Sequence, residues 1–283
     1  MASFREFRAL IDRSGALGIG QTLLSDLARC LRFYSRLPVP KLPWERDPHG
    51  PPEFETMPRV LPVAGAIIGL VGAATLLTAS ALGLGALVSA ALTITALTLV
   101  TGAFHEDGLA DTADGFGGGL TPVRRLEIMA DSRIGSYGGA ALIAAYALRI
   151  LCLGELIAKL GSADAAIAVV VVAALSRTAG LVLITFLSPV RLTGASYAAG
   201  QPTRGTLAIA WLVCGVIGSM AAFSSALTAI ALVLTFVLAA TVALAMTALS
   251  RRLIGGQTGD VGGATQQIAE IAAFLGLLIA ARP

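Results

Sequence analysis

Apolar segments long enough to cross a lipid bilayer dominate the chain from residue 60 onwards. A helix needs about 20 apolar residues to cross roughly 30 Å of hydrocarbon. Runs of about this length occur at 60–80, 82–103, 137–160, 164–187, 206–223, 225–248 and 266–281. The pattern predicts an all-α, polytopic membrane protein with about seven transmembrane helices. In the first run, Gly65 and Gly69 have the small-xxx-small spacing that lets two helices approach closely.

The N-terminal region has a different pattern. Residues 16–37 place leucines at helical spacing with arginines between them, which predicts an amphipathic helix at the membrane interface. The following stretch, 38–58, is too rich in proline for a helix and is expected to be a connector. We therefore divide the chain into an N-terminal cytoplasmic and interfacial segment, 1–59, and a helical transmembrane catalytic domain, 60–283.

Composition agrees with a membrane protein and excludes several other classes. Apolar residues make up 56% of the chain, charged residues only 13%, and the mean hydropathy is +0.82, so a soluble globule of this size could not cover its surface. The three cysteines are far apart and form no metal-binding pair. The net charge of +3 is spread over the loops without an aromatic-interleaved patch, so we expect no nucleic-acid partner.

The distribution of basic residues predicts the orientation in the membrane. If the N-terminus is inside, only Lys159 and Arg282 of the 20 Lys and Arg residues lie on the outer side, while Arg149 and Arg177 lie within spans. Short cytoplasmic loops concentrate Lys and Arg in this way. The charge bias therefore predicts that the N-terminus is inside and that the acidic cluster, described next, faces the cytoplasm.

Six of the 17 acidic residues lie between 106 and 131. Asp107, Asp111 and Asp114 are spaced i, i+4 and i+7, so on a helix they share one face and repel one another. A hard divalent cation would offset that repulsion, and oxygen ligands without cysteine favour Mg²⁺, with Mn²⁺ as a possible substitute. Nearby glycines, among them Gly115 and Gly117, and the arginines that follow suit a phosphate or pyrophosphate substrate.

Other polar residues extend this candidate site. Arg177 lies inside a span, where an ionisable side chain is costly and by default functional. Asp260 lies in a glycine-rich turn before the last span and is a further candidate contact. His105 is equally consistent with a general base and with a hydrogen-bonded spacer. Arg149 and Glu155 are interpreted as an ion pair within one span or as side chains that extend to the interface.

Two segments in and after the acidic cluster resemble a known family. His105-Glu-Asp-Gly-Leu-Ala-Asp-Thr-Ala-Asp-Gly115 and Asp131-Ser-Arg-Ile-Gly-Ser-Tyr-Gly138 are similar to the signature of the cobalamin synthase (adenosylcobinamide-GDP ribazoletransferase) family. Four further segments carry the resemblance over nearly the whole chain: 33–40, Ser176-Arg177, Arg191 with Gly194, and 256–260. The Asp-Gly-x-x-Asp-x-x-Asp-Gly string is also loosely similar to the metal motif of CDP-alcohol phosphotransferases, from which it departs around Asp111.

The resemblance implies an Mg²⁺-dependent enzyme of the cell inner membrane that joins adenosylcobinamide-GDP to α-ribazole, or to its 5′-phosphate, and expels GMP. The spacing of the aspartates and the resemblance together predict that Asp107, Asp111, Asp114 and Asp131 hold one or two Mg²⁺ ions. Arg133, Arg177 and Arg191 would neutralise phosphate oxygens, with Gly115, Gly117 and Asp260 as further substrate contacts. The candidates for proton transfer are Asp131, Asp107 and His105. The expected partners are these two substrates and membrane lipid, with a homo-oligomer or other corrinoid-pathway enzymes as further candidates.

Two alternatives use the same residues differently. A cation- or proton-coupled transporter would use the carboxylates and Arg177 to line a pathway, usually at mid-membrane and often in a repeated pattern. The acidic residues here gather instead at one cytoplasmic rim, and the sequence has no internal repeat. A lipid enzyme of the CDP-alcohol phosphotransferase type would use nearly the same site with a different acceptor. The sequence also leaves open whether the proline-rich connector and the loop at 188–205 cover the substrate.

Overall fold

The computed structural model of the protein describes residues 18–45, 47–48, 50, 53–191, 200–225 and 227–281, and the fold is given for these. Apart from one isolated bridge between Pro189 and Gln257, their regular structure is helical. A short 3₁₀ helix, Met57–Val60, precedes the first long span. The α-helices are α1 (Ile19–Tyr34), α2 (Leu61–Ala81), α3 (Gly85–Thr101), α4 (Phe104–Gly118), α5 (Pro122–Ile128), α6 (Ser136–Leu160), α7 (Ser162–Phe186), α8 (Arg204–Ser224), α9 (Ala229–Ile254) and α10 (Gly259–Ala280).

The helices confirm the prediction of an all-α membrane protein. Within the described residues, six helices are long and apolar enough to cross a membrane, and α3 with α4 forms a seventh candidate that is bent by 90°. The bend occurs at Gly102 and Ala103, whose φ angles of 66° and 58° are left-handed and end α3. The predicted second span is therefore α3, and the acidic segment that follows it turns away as α4.

The boundaries of the last two spans differ from those expected. Helix α9 continues to Ile254, six residues beyond the predicted end, and α10 begins at Gly259 instead of 266. For α10 the reason is that residues 259–265, expected to belong to a polar, glycine-rich turn, form the beginning of the helix, with Gly262 and Gly263 buried against neighbouring helices. Gln266, Gln267 and Glu270, which follow them, are also buried inside the bundle.

Helix α7 is the centre of the bundle, and α2 packs closely against it. A Cβ atom on Gly65 would lie 2.8 Å from the carbonyl oxygen of Ala173, and one on Gly69 would lie 2.9 Å from the Ala173 Cβ. These distances leave no space for a side chain. The small-residue spacing noted in the sequence is thus confirmed as a close helix contact.

The proline-rich connector is held to α1 by buried ion pairs. Arg59 donates to Asp26 at 2.7 Å, and Arg32 donates to both carboxylate oxygens of Glu45 at 2.9 Å. The hydrogen bonds from Arg32 lower the pKa of Glu45 from its usual value. The connector is therefore ordered at the residues described, and it forms part of the domain surface.

Several chain segments meet at one end of the bundle, which we call the site end. The Arg36 amide donates to the Val100 carbonyl, and Arg125 of α5 donates to the Leu253 carbonyl at the end of α9. The amide of Gln257 donates to Ser188, which ties the α9–α10 turn to the segment after α7. The opposite end carries short turns between α2 and α3, α6 and α7, and α8 and α9. Helices α4 and α5 thus lie at the site end.

Candidate active site

A cavity of about 320 Å³ lies at the site end, where α1, α4, α7 and α10 meet. Five residues that the sequence singled out line this cavity: His105, Asp107, Arg177, Arg191 and Asp260. His105 and Asp107 belong to α4, Arg177 to the central helix α7 and Asp260 to α10. Arg191 lies in the segment after α7. Chain folding therefore brings together candidates that are more than 150 positions apart in the sequence.

Helix α4 presents the predicted carboxylate face. Asp111 interacts unfavourably with Asp107, Asp114 and Asp260 and favourably with Arg191. The Oδ2 atom of Asp260 is buried, accepts no hydrogen bond from the described residues and lies 3.8 Å from Nη1 of Arg191. Negative charge from two helices is thus concentrated beside the cavity, with one arginine close to it.

Glycines on α4 and α10 make this juxtaposition possible. A Cβ on Gly108 would lie 2.7 Å from the carbonyl oxygen of Asp260, and one on Gly263 would lie 3.3 Å from the Cα of His105. The Thr258 hydroxyl accepts the Val261 amide at 3.3 Å and begins α10 at this point. The first turn of α10 is therefore held directly against the acidic face of α4.

Asp114 contributes to local structure. Its two carboxylate oxygens accept the amides of Gly135 at 2.7 Å and Gly138 at 2.9 Å, at the beginning of α6. Cβ atoms on these two glycines would lie within 2.4 Å of that carboxylate, so glycine is required there by close approach. Asp114 thereby fixes α6 to α4, and its predicted role as a metal ligand stays a prediction.

Asp131 and Arg133 lie on the surface away from the cavity lining. Arg133 donates to both carboxylate oxygens of Asp131, at 2.9 Å from Nε and 2.6 Å from Nη2. These hydrogen bonds lower the pKa of Asp131 to about 2. The structure does not bring this pair to the other candidates, and its predicted roles in metal binding, proton transfer and phosphate binding stay predictions.

Gly115 and Gly117 also lie outside the cavity lining. A Cβ on Gly115 would lie 2.3 Å from the Cγ of Met129, and one on Gly117 would lie 2.7 Å from the Tyr137 ring. In this arrangement both glycines allow neighbouring segments to pack against α4, and their role as substrate contacts stays a prediction. Gly194 and Arg282, also noted in the sequence, lie outside the described residues.

Arg149 has different partners from those expected. It donates to Glu106 of α4 at 3.0 Å and to Glu270 of α10 at 2.9 Å, and its side chain is 2% exposed. Glu155 is exposed, so the interpretation of Arg149 as its ion-pair partner, or as a side chain extending to the interface, is wrong. Two buried carboxylates from other helices outcompete a neighbour on the same helix because an isolated buried guanidinium would be costly.

Arg177 lies beside this buried network and lines the cavity. Its side chain is buried, its Nη1 donates to the Ala173 carbonyl at 2.9 Å, and its Nε has no hydrogen-bond partner among the described residues. Glu106 and Glu270 both interact favourably with its charge. A buried cation with unused donor capacity is suited to bind an anionic ligand.

No group of three His, Cys, Asp or Glu side chains in the described ranges lies close enough to hold a metal ion as the side chains stand. The donor chemistry nevertheless fits a hard cation. Asp107, Asp111 and Asp260 supply carboxylate oxygens only, and one buried oxygen of Asp260 has no hydrogen bond in the part of the chain that the structure describes. Their side chains would have to move for these oxygens to meet on one ion.

Comparison with known proteins identifies the family. The family model for cobalamin-5-phosphate synthase matches residues 26–278. The chain belongs to this family. Similar relatives named adenosylcobinamide-GDP ribazoletransferase come from Azorhizobium caulinodans, 51% identical over 92% of this chain and 98% of the relative, and from Xanthobacter autotrophicus, 48% identical over 91% and 97%. No solved structure shows significant similarity.

As a member of the cobalamin-5-phosphate synthase family, the chain is a membrane-embedded transferase of cobalamin biosynthesis. The matched region runs from the middle of α1 to the last turn of α10, so the cavity and the acidic face both lie within it. The resemblance found in the sequence is confirmed at the level of the family.

Sequence reasoning missed part of the cavity. Four aromatic side chains, here called the aromatic wall, line one side of it: Phe33, Tyr34, Phe54 and Phe104. Gln257, Thr258 and Gln266 also line it and were not singled out individually as site residues. Phe33 and Tyr34 begin one of the segments that carry the family resemblance, which was a usable signal. Phe54 and Phe104 had no such signal in the sequence, because single aromatic residues beside apolar segments are common and do not mark a site.

Proposed function

We propose that this enzyme joins adenosylcobinamide-GDP to α-ribazole, or to its 5′-phosphate, with release of GMP. The observation that carries the proposal is the cavity in which carboxylates of α4 and α10 meet Arg177 and Arg191. In the reaction, a hydroxyl oxygen of the ribazole forms a bond to the corrinoid-side phosphorus. The bond between that phosphorus and the bridging oxygen breaks, and GMP leaves with the bridging oxygen.

Two arginines would bind the pyrophosphate. Arg177 is buried, and its Nε has no hydrogen-bond partner in the described part of the chain, while Arg191 extends from the segment after α7 towards Asp260. The amides of Gly259 and Asp260 belong to the first turn of α10, where backbone N–H groups lack partners within the helix. A helix N-terminus with such donors favours phosphate oxygens, so the pyrophosphate is placed between α10 and Arg177.

The proposal includes a divalent cation held by Asp107 and Asp111, with Asp260 as a third ligand. Mg²⁺ is the expected ion, because the donors are all carboxylate oxygens, and Mn²⁺ could replace it. When bound, the ion would supply charge stabilisation at the phosphate oxygens. The attraction of the three carboxylates to the ion would then offset their mutual repulsion. Asp114 and Asp131 remain candidates for further ligands.

Proton acceptance is assigned to Asp107 or His105, because both line the cavity. Asp131 fits this role less well, since Arg133 holds its pKa at about 2 and its side chain does not line the cavity. We also propose that the site end faces the cytoplasm in the inner membrane. The charge bias supports this orientation, because α5, the segment after α7 and the last turn of α9 carry arginines at the site end.

The test is GMP release by the detergent-purified protein supplied with adenosylcobinamide-GDP and α-ribazole, in Mg²⁺ and then in excess EDTA. The proposal expects GMP only when metal and both substrates are present. A parallel reaction with CDP-diacylglycerol tests the lipid-enzyme alternative. CMP release there, with no GMP release from the corrinoid, would overturn the proposal.

A further inference from the structure

The walls of the cavity differ in chemistry. One side is the aromatic wall, contributed by α1, the connector and the beginning of α4. The other side carries Asp107, Arg177, Arg191 and the first turn of α10. In the proposed function, the polar side binds the pyrophosphate and the divalent cation. The aromatic wall has no part in that chemistry, so it requires a separate explanation.

The rings of the aromatic wall are held by one another. Phe33 makes edge-to-face contacts with Tyr34, Phe54 and Phe104 at centroid distances of 4.8, 5.5 and 5.7 Å. Tyr34 stacks on His105 with an interplanar angle of 2° and a centroid distance of 6.1 Å. Aromatic side chains fixed in this way lose little entropy when a further ring packs against them. The wall is therefore a pre-organised surface for a planar group.

The size of the cavity limits what this group can be. Its 320 Å³ is at the lower end of the roughly 300–1,000 Å³ found for small-molecule sites. A nucleoside-sized group fits this space, whereas a corrin macrocycle with its side chains is far larger. The corrinoid must remain outside the cavity, so that only the phosphate end of that substrate enters it.

Two planar groups then compete for the wall: guanine of the donor and the base of the acceptor. Guanine has amide and amine groups on its edge, and burying them without hydrogen-bond partners is costly. The wall offers only the Tyr34 hydroxyl and the neighbouring His105 ring as polar groups. The acceptor base, a dimethylbenzimidazole, has an apolar edge that needs no such partners.

We infer that the aromatic wall binds the planar, apolar base of the acceptor nucleoside. This inference rests on the proposed function. Phe33, Tyr34, Phe54 and Phe104 contact the base, and the ribose extends from it towards Asp107. The acceptor hydroxyl thereby approaches the phosphorus from the aromatic side, opposite to the α10 side that holds the pyrophosphate.

Steady-state kinetics with each substrate varied in turn tests this assignment. Phe54→Leu removes a ring and keeps an apolar side chain. We expect it to raise KM for α-ribazole about tenfold, as loss of one stacked aromatic ring does, and to leave KM for adenosylcobinamide-GDP unchanged. Phe54→Tyr should restore the parental KM. Phe236→Leu is the matched control, because Phe236 pairs with Trp211 away from the cavity and its loss should change neither KM.

Phe104→Leu gives a second variant in case the first does not fold. Phe104 is 45% exposed, so its truncation removes little of the core. A rise in KM for adenosylcobinamide-GDP instead of α-ribazole in the folded variants, or no change in either, would overturn the inference. GMP release by the parental enzyme would still support the proposed function in both cases, whereas absence of GMP release by the parental enzyme would overturn the proposed function itself.

Discussion

Nη1 of Arg149 lies 3.0 Å from Oε1 of Glu106, inside the bundle and 43 positions away in the sequence. The same guanidinium donates through Nε to Glu270 of α10. One buried cation therefore joins α6, α4 and α10, which are three of the helices that frame the site end. Glu106 is also the neighbour of Asp107, so the ion pair fixes the part of α4 that faces the cavity.

Replacing Arg149 is expected to destabilise the enzyme severely. Arg149→Ala leaves two buried carboxylates without their cation, a change that typically costs about 3–5 kcal/mol. We expect a large fall in the apparent thermal midpoint of the detergent-purified protein. The triple variant Arg149→Met, Glu106→Gln, Glu270→Gln removes the charges together and should recover most of that loss. Equal midpoints for the single and triple variants would show that charge compensation is not what Arg149 supplies.

The contrast between Asp114 and Arg149 shows what sequence can predict here. Apolar runs located the helices, and the i, i+4, i+7 spacing of aspartates correctly placed them on one face of α4. The same spacing could not show that Asp114 binds the amides of Gly135 and Gly138, because those partners come from a later segment. Arg149 likewise forms an ion pair with Glu270, which is 121 positions away in the sequence. Choice of partner across the bundle depends on packing that a local pattern does not contain.

The start of α10 was missed for a related reason. Glycines and Asp260 give residues 259–263 the pattern of a polar turn, but Gly262 and Gly263 are buried where α10 packs against α7 and α4. Gln266, Gln267 and Glu270, which follow, are buried and hydrogen-bonded to one another or to Ser176. The useful signal was Thr258, a residue type that commonly begins helices. In a membrane bundle, polar residues inside a helix are expected where neighbouring helices satisfy them.

Substitutions on α4 should separate metal binding from local structure. Among the described residues Asp111 accepts no hydrogen bond, and three neighbouring carboxylates repel its charge. Because Asp111→Asn removes this repulsion, it should leave the thermal midpoint unchanged or raise it. We expect its GMP release to fall about a hundredfold or more. Asp114→Asn keeps one acceptor oxygen and puts an NH₂ donor in place of the other, so one of the two glycine amides loses its acceptor and the thermal midpoint should fall.

The matching measurement is Mn²⁺ binding to each folded variant by calorimetry. Asp111→Asn should weaken it strongly, and the parental protein should bind Mn²⁺ in a manner that excess Mg²⁺ displaces. Unchanged Mn²⁺ affinity in both Asp111→Asn and Asp107→Asn would contradict the assigned metal site.

The bend between α3 and α4 contains a strained residue. Ala103 has φ of 58°, a left-handed conformation that costs a residue with a Cβ about 1–2 kcal/mol. We therefore expect Ala103→Gly to stabilise the protein by about 1 kcal/mol, seen as a raised thermal midpoint. Ala113→Gly, within the regular part of α4, is the control and should lower stability by about 1 kcal/mol. Destabilisation by both changes would mean that the bend does not hold Ala103 in this conformation.

The contact between α4 and α10 gives a test of how closely the two acidic segments must approach. A Cβ on Gly108 would lie 2.7 Å from the carbonyl oxygen of Asp260, which belongs to the backbone and cannot turn aside. Gly108→Ala should therefore move α4 away from the first turn of α10. A displacement of about 1 Å at a reacting centre can lower the rate about a hundredfold, and we expect a loss of that order in kcat.

Gly139→Ala is the matched control for this change. Gly139 lies in the first turn of α6, and a Cβ there would meet no atom within 4 Å. Alanine should be accepted with unchanged kcat and a small gain in stability from its higher helix propensity. A Gly108→Ala enzyme with the parental kcat would show that the acidic face of α4 and Asp260 need not be in direct contact during turnover. The assignment of Asp260 as a third metal ligand would then be wrong, because that ligand depends on the approach that Gly108 allows.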